Sequence, residues 1–109
     1  MTQIEFDEII EQLLQHGIEI TLRWDNSRII YDLNTGMKSH LYIAWDSVEE
    51  TIRCWGRYGH ESTVDSFQSL LWEVKGCMHG RDFANAAWID LLVKHGILKA
   101  TVTTTVTYE

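Results

Sequence analysis

Cys54, His60, Cys77 and His79 are the residues whose chemistry stands out first. Thiolate and imidazole are the ligands zinc prefers, and four of them would close a tetrahedral structural site. The spacing fits poorly. Paired zinc ligands usually stand two to four residues apart. Cys54 to His60 is too long for a tight knuckle, and Cys77 to His79 is too short. The plainer expectation is a small core cysteine at 54 and loop residues at the other three positions. No metal and no cofactor is therefore expected.

Cys77 also invites a nucleophile reading. Lys75, His79 and Arg81 surround it in sequence, and nearby positive charge lowers a thiol pKa. A catalytic cysteine needs in addition a base held in place and an oxyanion site. One intervening residue tends to point Cys77 and His79 apart. The chain has no G-x-S-x-G, H-E-x-x-H or Walker A spacing. The expectation is a protein that is not an enzyme, with a Cys77-dependent or metal-dependent enzyme as the outside alternative.

The segment Arg53-Cys54-Trp55-Gly56-Arg57-Tyr58-Gly59-His60 mixes arginines with aromatics. On a strand, Arg53, Trp55 and Arg57 share a face, and Arg23 and Tyr42 can join them across a sheet. Rings that stack and arginines that meet phosphate make a single-strand nucleic-acid platform. The whole-chain charge opposes that reading. The 109 residues (12.7 kDa) carry 16 acids against 9 bases, a formal net charge of −7. Glu5, Asp7, Glu8, Glu11 and Glu19 stand near the N-terminus without a base among them, and Asp46, Glu49 and Glu50 form a second cluster. Acidic surfaces steer association with basic partners and at the extreme imitate a nucleic-acid backbone. Small acidic inhibitors of the phage anti-defence kind work in this way.

The expected function is therefore recognition of another protein, with a basic or nucleic-acid-binding site on the partner. The contact candidates are Trp55, Trp72, Arg53 and Arg57, with Glu8, Glu11, Glu49 and Glu50 for the basic partner. A homodimer is the competing occupant of such a surface, and nucleic acid is the less favoured one. Among five tryptophans, Trp24, Trp45 and Trp88 fall on apolar stripes and are expected in the core. Trp55 and Trp72 fall off them, which suits an interface.

These side chains must be positioned by one domain of ordinary globular composition, 45% hydrophobic and 23% charged. Two cysteines are too few for a disulfide scaffold, and both are expected reduced in a cytoplasmic protein. The N-terminus lacks the basic and apolar regions of a signal peptide. No apolar stretch is long enough to span a membrane.

Thr2 and Glu5 have capping-box spacing, and Phe6, Ile9, Ile10, Leu13 and Leu14 form one stripe, which predicts a helix over 3–15. Alternation predicts strands over 18–24, 28–33, 39–45 and 50–58, joined by short turns as an antiparallel meander. Ser62 and Asp65 are expected to open a second helix carrying Val64, Phe67, Leu70, Leu71 and Val74. Asp82 is expected to cap a third over 83–95. A Thr-rich strand closes the chain over 97–108. The fold class is α+β, a mainly antiparallel five-stranded sheet with three helices in the order α-β-β-β-β-α-α-β. One pattern recurs: Leu13-Leu14-Gln15-His16-Gly17-Ile18 and Leu91-Leu92-Val93-Lys94-His95-Gly96-Ile97 both read as a helix stopped by glycine.

Overall fold

Thr2 starts the first helix, α1 (Gln3–Gln15): its hydroxyl accepts the Glu5 N–H at 3.2 Å. Gly17 stops it. With φ +81° it occupies the left-handed region, which costs a Cβ-bearing residue and not glycine. The Ile18 N–H then reaches back to the Leu13 carbonyl and the Gly17 N–H to that of Leu14, the paired bonds of a Schellman cap. The recurring sequence pattern is this motif used twice. At the end of α3 (Ala86–Lys94) Gly96 has φ +74°, Ile97 donates to Leu92 and Gly96 to Val93. In both caps the residue after glycine packs inward, with Ile18 and Ile97 buried beside Leu13 and Leu92.

The computed structural model describes residues 1–26, 28–34, 40–56, 60–78, 86–102 and 106–108, with backbone only for 34, 100–102 and 106–108. Its architecture is α+β: three helices and a five-stranded antiparallel sheet in the order β1-β2-β3-β4-β5. The strands are β1 (Ile20–Asp25), β2 (Arg28–Asn34), β3 (His40–Asp46), β4 (Thr51–Gly56) and β5 (Ser62–Val64). Each neighbours the next in sequence, so the sheet is a meander. Asp25 faces Arg28 across a two-residue loop, and Asn26 takes φ +48° there, in the left-handed region that asparagine tolerates. Asp46 faces Thr51 across a four-residue loop.

Strand pleating sorts the side chains onto two faces. One face presents Leu33, Leu41, Ile43, Ile52, Cys54 and Val64 to the helices. There they meet Phe6, Ile9 and Leu13 of α1, Leu70, Leu71 and Val74 of α2 (Phe67–Cys77), and Trp88, Leu91 and Leu92 of α3. Among the described residues no helix packs on the other face.

Three expectations need correction. Ser62 does not open the second helix. Ser62–Val64 pairs with β4, Ile52 opposite Val64, and Val64 enters the core. The cap is Ser66, whose hydroxyl accepts the Ser69 N–H at 3.0 Å while the Ser69 hydroxyl accepts the Ser66 N–H at 3.1 Å. Val64 fits a helical stripe and a strand face equally well, and three residues are too few to reveal a period. The fifth strand of the sheet is thus β5 and not the C-terminal segment. That segment folds on itself as β6 (Ala100–Val102) and β7 (Val106–Tyr108) in a separate two-stranded sheet. Trp24, finally, is not in the core. It lies on the helix-bearing side of β1 but is 73% exposed, because β1 is the sheet edge and the helices do not cover its far end. Trp45 and Trp88 are where the pattern put them, half-buried against the core and fully buried. The expected cap Asp82 and helix start Phe83 lie outside the described residues, as does Tyr58. Among the described residues no helix is long and apolar enough to cross a membrane.

The shifted cap is testable. Ser66→Ala should cost about 1 kcal/mol, read as a lower urea midpoint at unchanged slope. Ser62→Ala should cost clearly less if Ser66 is the cap.

Candidate functional site

The helix-free face of the sheet carries the densest polar arrangement among the described residues. Tyr42 on β3 stands opposite Trp55 on β4, and the rings stack with centroids 6.0 Å apart at 26°. His40, two residues before Tyr42, stacks on it at 6.0 Å and 10°. Guanidinium groups lie over these rings from two strands away: Arg23 Cζ on β1 is 5.4 Å from the centre of Tyr42, and Arg28 Cζ on β2 is 4.8 Å from that of Trp55. Beneath, Ile30 opposite Arg23 and Ala44 opposite Arg53 are fully buried apart from the main core.

Carboxylates pair with two of the arginines on this face, and a third carboxylate lies beside His40. Arg28 meets Glu61 at 3.3 Å, Arg53 Nε donates to Asp46 at 3.0 Å, and His40 Nδ1 lies 3.0 Å from Asp32. Arg23 is held by the Tyr42 ring. The face is accordingly close to neutral while the chain carries −7, so the excess acid lies on other surfaces.

Asp46 anchors the loop that follows it. Its carboxylate accepts the Val48 and Glu49 N–H groups at 3.0 and 3.1 Å besides Arg53. The Glu49 N–H, then Arg53, hold it below the ordinary value of 3.8 against a smaller opposing desolvation. A carboxylate held low in the fold adds stability above its unfolded pKa and loses it as pH falls through the folded value. Asp46→Asn should therefore be less stable than wild type at neutral pH. The gap should narrow as the pH falls below the ordinary carboxylate range and through the lowered value of Asp46; urea titration along a pH series checks this.

The contact candidates fall in separate places. Arg53 and Trp55 share the helix-free face, both half-buried. Trp72 is on α2, in the opposite layer, 51% exposed with the Lys75 ammonium 5.0 Å from its ring. Glu8 and Glu11 are exposed on α1, and Glu49 and Glu50 on the β3–β4 loop. Arg57 lies outside the described residues. Alternation in the sequence placed Arg23 and Tyr42 with Arg53 and Trp55. Arg28 and His40 were missed, although the two-residue loop after Asp25 sets Arg28 on the same face as Asp25 and Arg23.

The thiols sit in the core layer. Cys54 is buried, with Sγ 3.3 Å from the Ser62 hydroxyl. Cys77 Sγ would lie 3.8 Å from a Cβ placed on Gly56. Burial pushes both thiols up, and Glu73 adds to this for each. At neutral pH they are protonated, the opposite of an activated nucleophile. His60 is exposed and His79 lies outside the described residues. Among the described residues no three His, Cys, Asp or Glu side chains converge as a metal site.

No family model, curated protein or solved structure matches this chain. Stacked rings on a flat sheet, capped by guanidinium groups that already have partners, offer rigid area and directional donors.

Proposed function

We propose that the protein is a non-enzymatic binding protein that recognises another protein through the helix-free face of its sheet. The supporting observation is the Tyr42–Trp55 stack with Arg23 and Arg28 over its rings. Trp, Tyr and Arg are the residue types that dominate interface hot spots, and here strand backbone and mutual stacking hold them, so little side-chain entropy remains to be lost on binding. The acids elsewhere, Glu8 and Glu11 on α1 and Glu49 and Glu50 on the loop, favour a partner with a basic site and speed its approach. If that site is a nucleic-acid-binding cleft, occupying it makes the protein an inhibitor. The raised thiols suit a cytoplasmic setting in which both stay reduced.

A second reading has one observation in its favour. The rings and Arg23, which has a ring rather than a carboxylate beside it, resemble a stacking platform for single-stranded nucleic acid. Compensation of Arg28 and Arg53 by Glu61 and Asp46 weighs against it, because binding to phosphates draws its strength from uncompensated cations.

Capture of the tagged chain from its source lysate, with and without nuclease and beside Trp55→Ala, separates the two. A protein retained through nuclease treatment and lost with Trp55→Ala supports the first reading. Material lost on nuclease treatment supports the second. Retention of every partner by Trp55→Ala rejects the face altogether.

A further inference from the structure

β1 ends the sheet, and its outer edge pairs with no strand among the described residues. The opposite edge is well protected: β5 is three residues long, and Ser62 and Thr63 are exposed and polar. β1 has six residues and no proline, lysine or bulge, and its two charges, Arg23 and Asp25, both lie on the helix-free face. Its helix-side residues Leu22 and Trp24 are 58% and 73% exposed, the only exposed large apolar pair on one strand among the described residues.

The backbone adds a second constraint. Asp25 and Arg28 flank a two-residue loop, which makes them a pair that exchanges both main-chain bonds. Alternate residues then turn their N–H and C=O to the open side, namely Trp24, Leu22 and Ile20. The free hydrogen-bonding groups therefore belong to three apolar residues spaced symmetrically about Leu22, of which Leu22 and Trp24 are uncovered and Ile20 packs partly against the core.

We propose that β1 pairs antiparallel with β1 of a second copy about a two-fold axis at Leu22, joining two five-stranded sheets into one of ten. Leu22 then faces Leu22 of the second copy, Ile20 faces Trp24, and Thr21 faces Arg23. Every outward backbone group of 20–24 gains a partner and the apolar ladder is continuous. Charge selects this register. A shift centred on Arg23 sets two guanidinium groups opposite each other, which is destabilising. A shift centred on Trp24 draws Asn26, at φ +48°, into the ladder. The partner is a second copy because this apolar spacing is its own complement under a two-fold axis, as an isologous interface demands.

The contact is small. A tryptophan buries roughly 150–250 Å², so two Trp24–Leu22 pairs with short strand edges stay below the ~1,200 Å² above which interfaces are stable. The dimer is therefore weak, forming at roughly 10–100 μM. Two copies each carrying −7 repel, so added salt strengthens it. This contact uses the helix-side residues of β1 and stands independently of the partner proposed for the opposite face.

Sedimentation velocity on the full chain from about 5 to 500 μM, spanning that range, should show a monomer–dimer equilibrium that tightens with salt. Trp24→Lys and Leu22→Lys should each weaken it at least tenfold with unchanged circular dichroism, since both sites are exposed. With oxidised glutathione, Leu22→Cys should form a covalent dimer, while Trp24→Cys and the unsubstituted chain should not. A monomer throughout the range, a dimer indifferent to Trp24→Lys, or preferential cross-linking of Trp24→Cys overturns the proposal.

Discussion

Phe6→Ala is expected to cost about 3–5 kcal/mol, the usual range for removing a buried phenylalanine, and to lower the melting midpoint by roughly 10–30 °C for a domain of this size. Phe6 is fully buried and lies where α1 crosses the sheet. Its ring meets Tyr31 edge-on at 5.3 Å and 77°, and Trp45 at 5.6 Å and 33°. Such aromatic pairs add about 0.5–1.5 kcal/mol beyond area alone. Tyr31 and Trp45 are only partly buried, so with Phe6 gone they lose their cover and the site cannot close around the space. Domains are stable by about 5–15 kcal/mol, so one substitution removes a large fraction of the whole. Ile4→Ala, on the exposed side of the same helix, is the control and should stay within about 0.5 kcal/mol of wild type. A Phe6→Ala cost below about 1 kcal/mol would mean that α1 does not hold the sheet in the way described.

The same helix shows what a sequence states plainly. Its span, Gln3–Gln15, is the one that Thr2, the apolar stripe and Gly17 imply, because every signal there is local: a hydroxyl three residues from its N–H, and a glycine where the chain must turn left-handed. The hairpins are equally legible, since a short loop between alternating runs admits one pairing direction. Trp24 marks the limit. Alternation assigns it to the face of Leu22 and Ile20, and that assignment holds. Whether a face is covered depends on how far the helices extend across the sheet, which no spacing along β1 encodes. Ser62–Val64 fails for another reason, being too short to carry a period. On the helix-free face, Arg53, Trp55, Arg23 and Tyr42 come together by parity alone. The reach of Arg28 to Trp55, two strands away, depends on sheet twist and on a flexible four-bond side chain. The carboxylates that pair with Arg53 and Arg28 are scattered as Asp46 and Glu61, so a stretch that reads as basic in sequence becomes balanced only in three dimensions.

That balance sets the expectation for Trp55→Ala. Against a protein partner, loss of a hot-spot tryptophan costs about 2 kcal/mol or more, a fall in affinity of roughly 30-fold. Stability should change far less than affinity, because Trp55 lies outside the main core and is only half-buried. Tyr42→Ala should cause a loss of the same order. The double variant should lose less than the two single losses combined, since each ring positions the other at 6.0 Å. Trp55→Phe should recover part of the affinity by restoring a stacked ring without the indole N–H. Salt separates the two kinds of partner. If phosphates are bound, Arg23→Gln should lower the slope of log affinity against log salt by about one. If a basic protein is bound, Arg23→Gln should leave that slope nearly unchanged, and Glu8→Lys with Glu11→Lys should flatten it, because those acids supply the long-range attraction. Titration calorimetry of the captured partner against these variants at two salt concentrations measures every term. Affinity within about twofold of wild type for Trp55→Ala, well short of a hot-spot loss, would place the binding surface elsewhere, with Trp72 on α2 as the next residue to substitute.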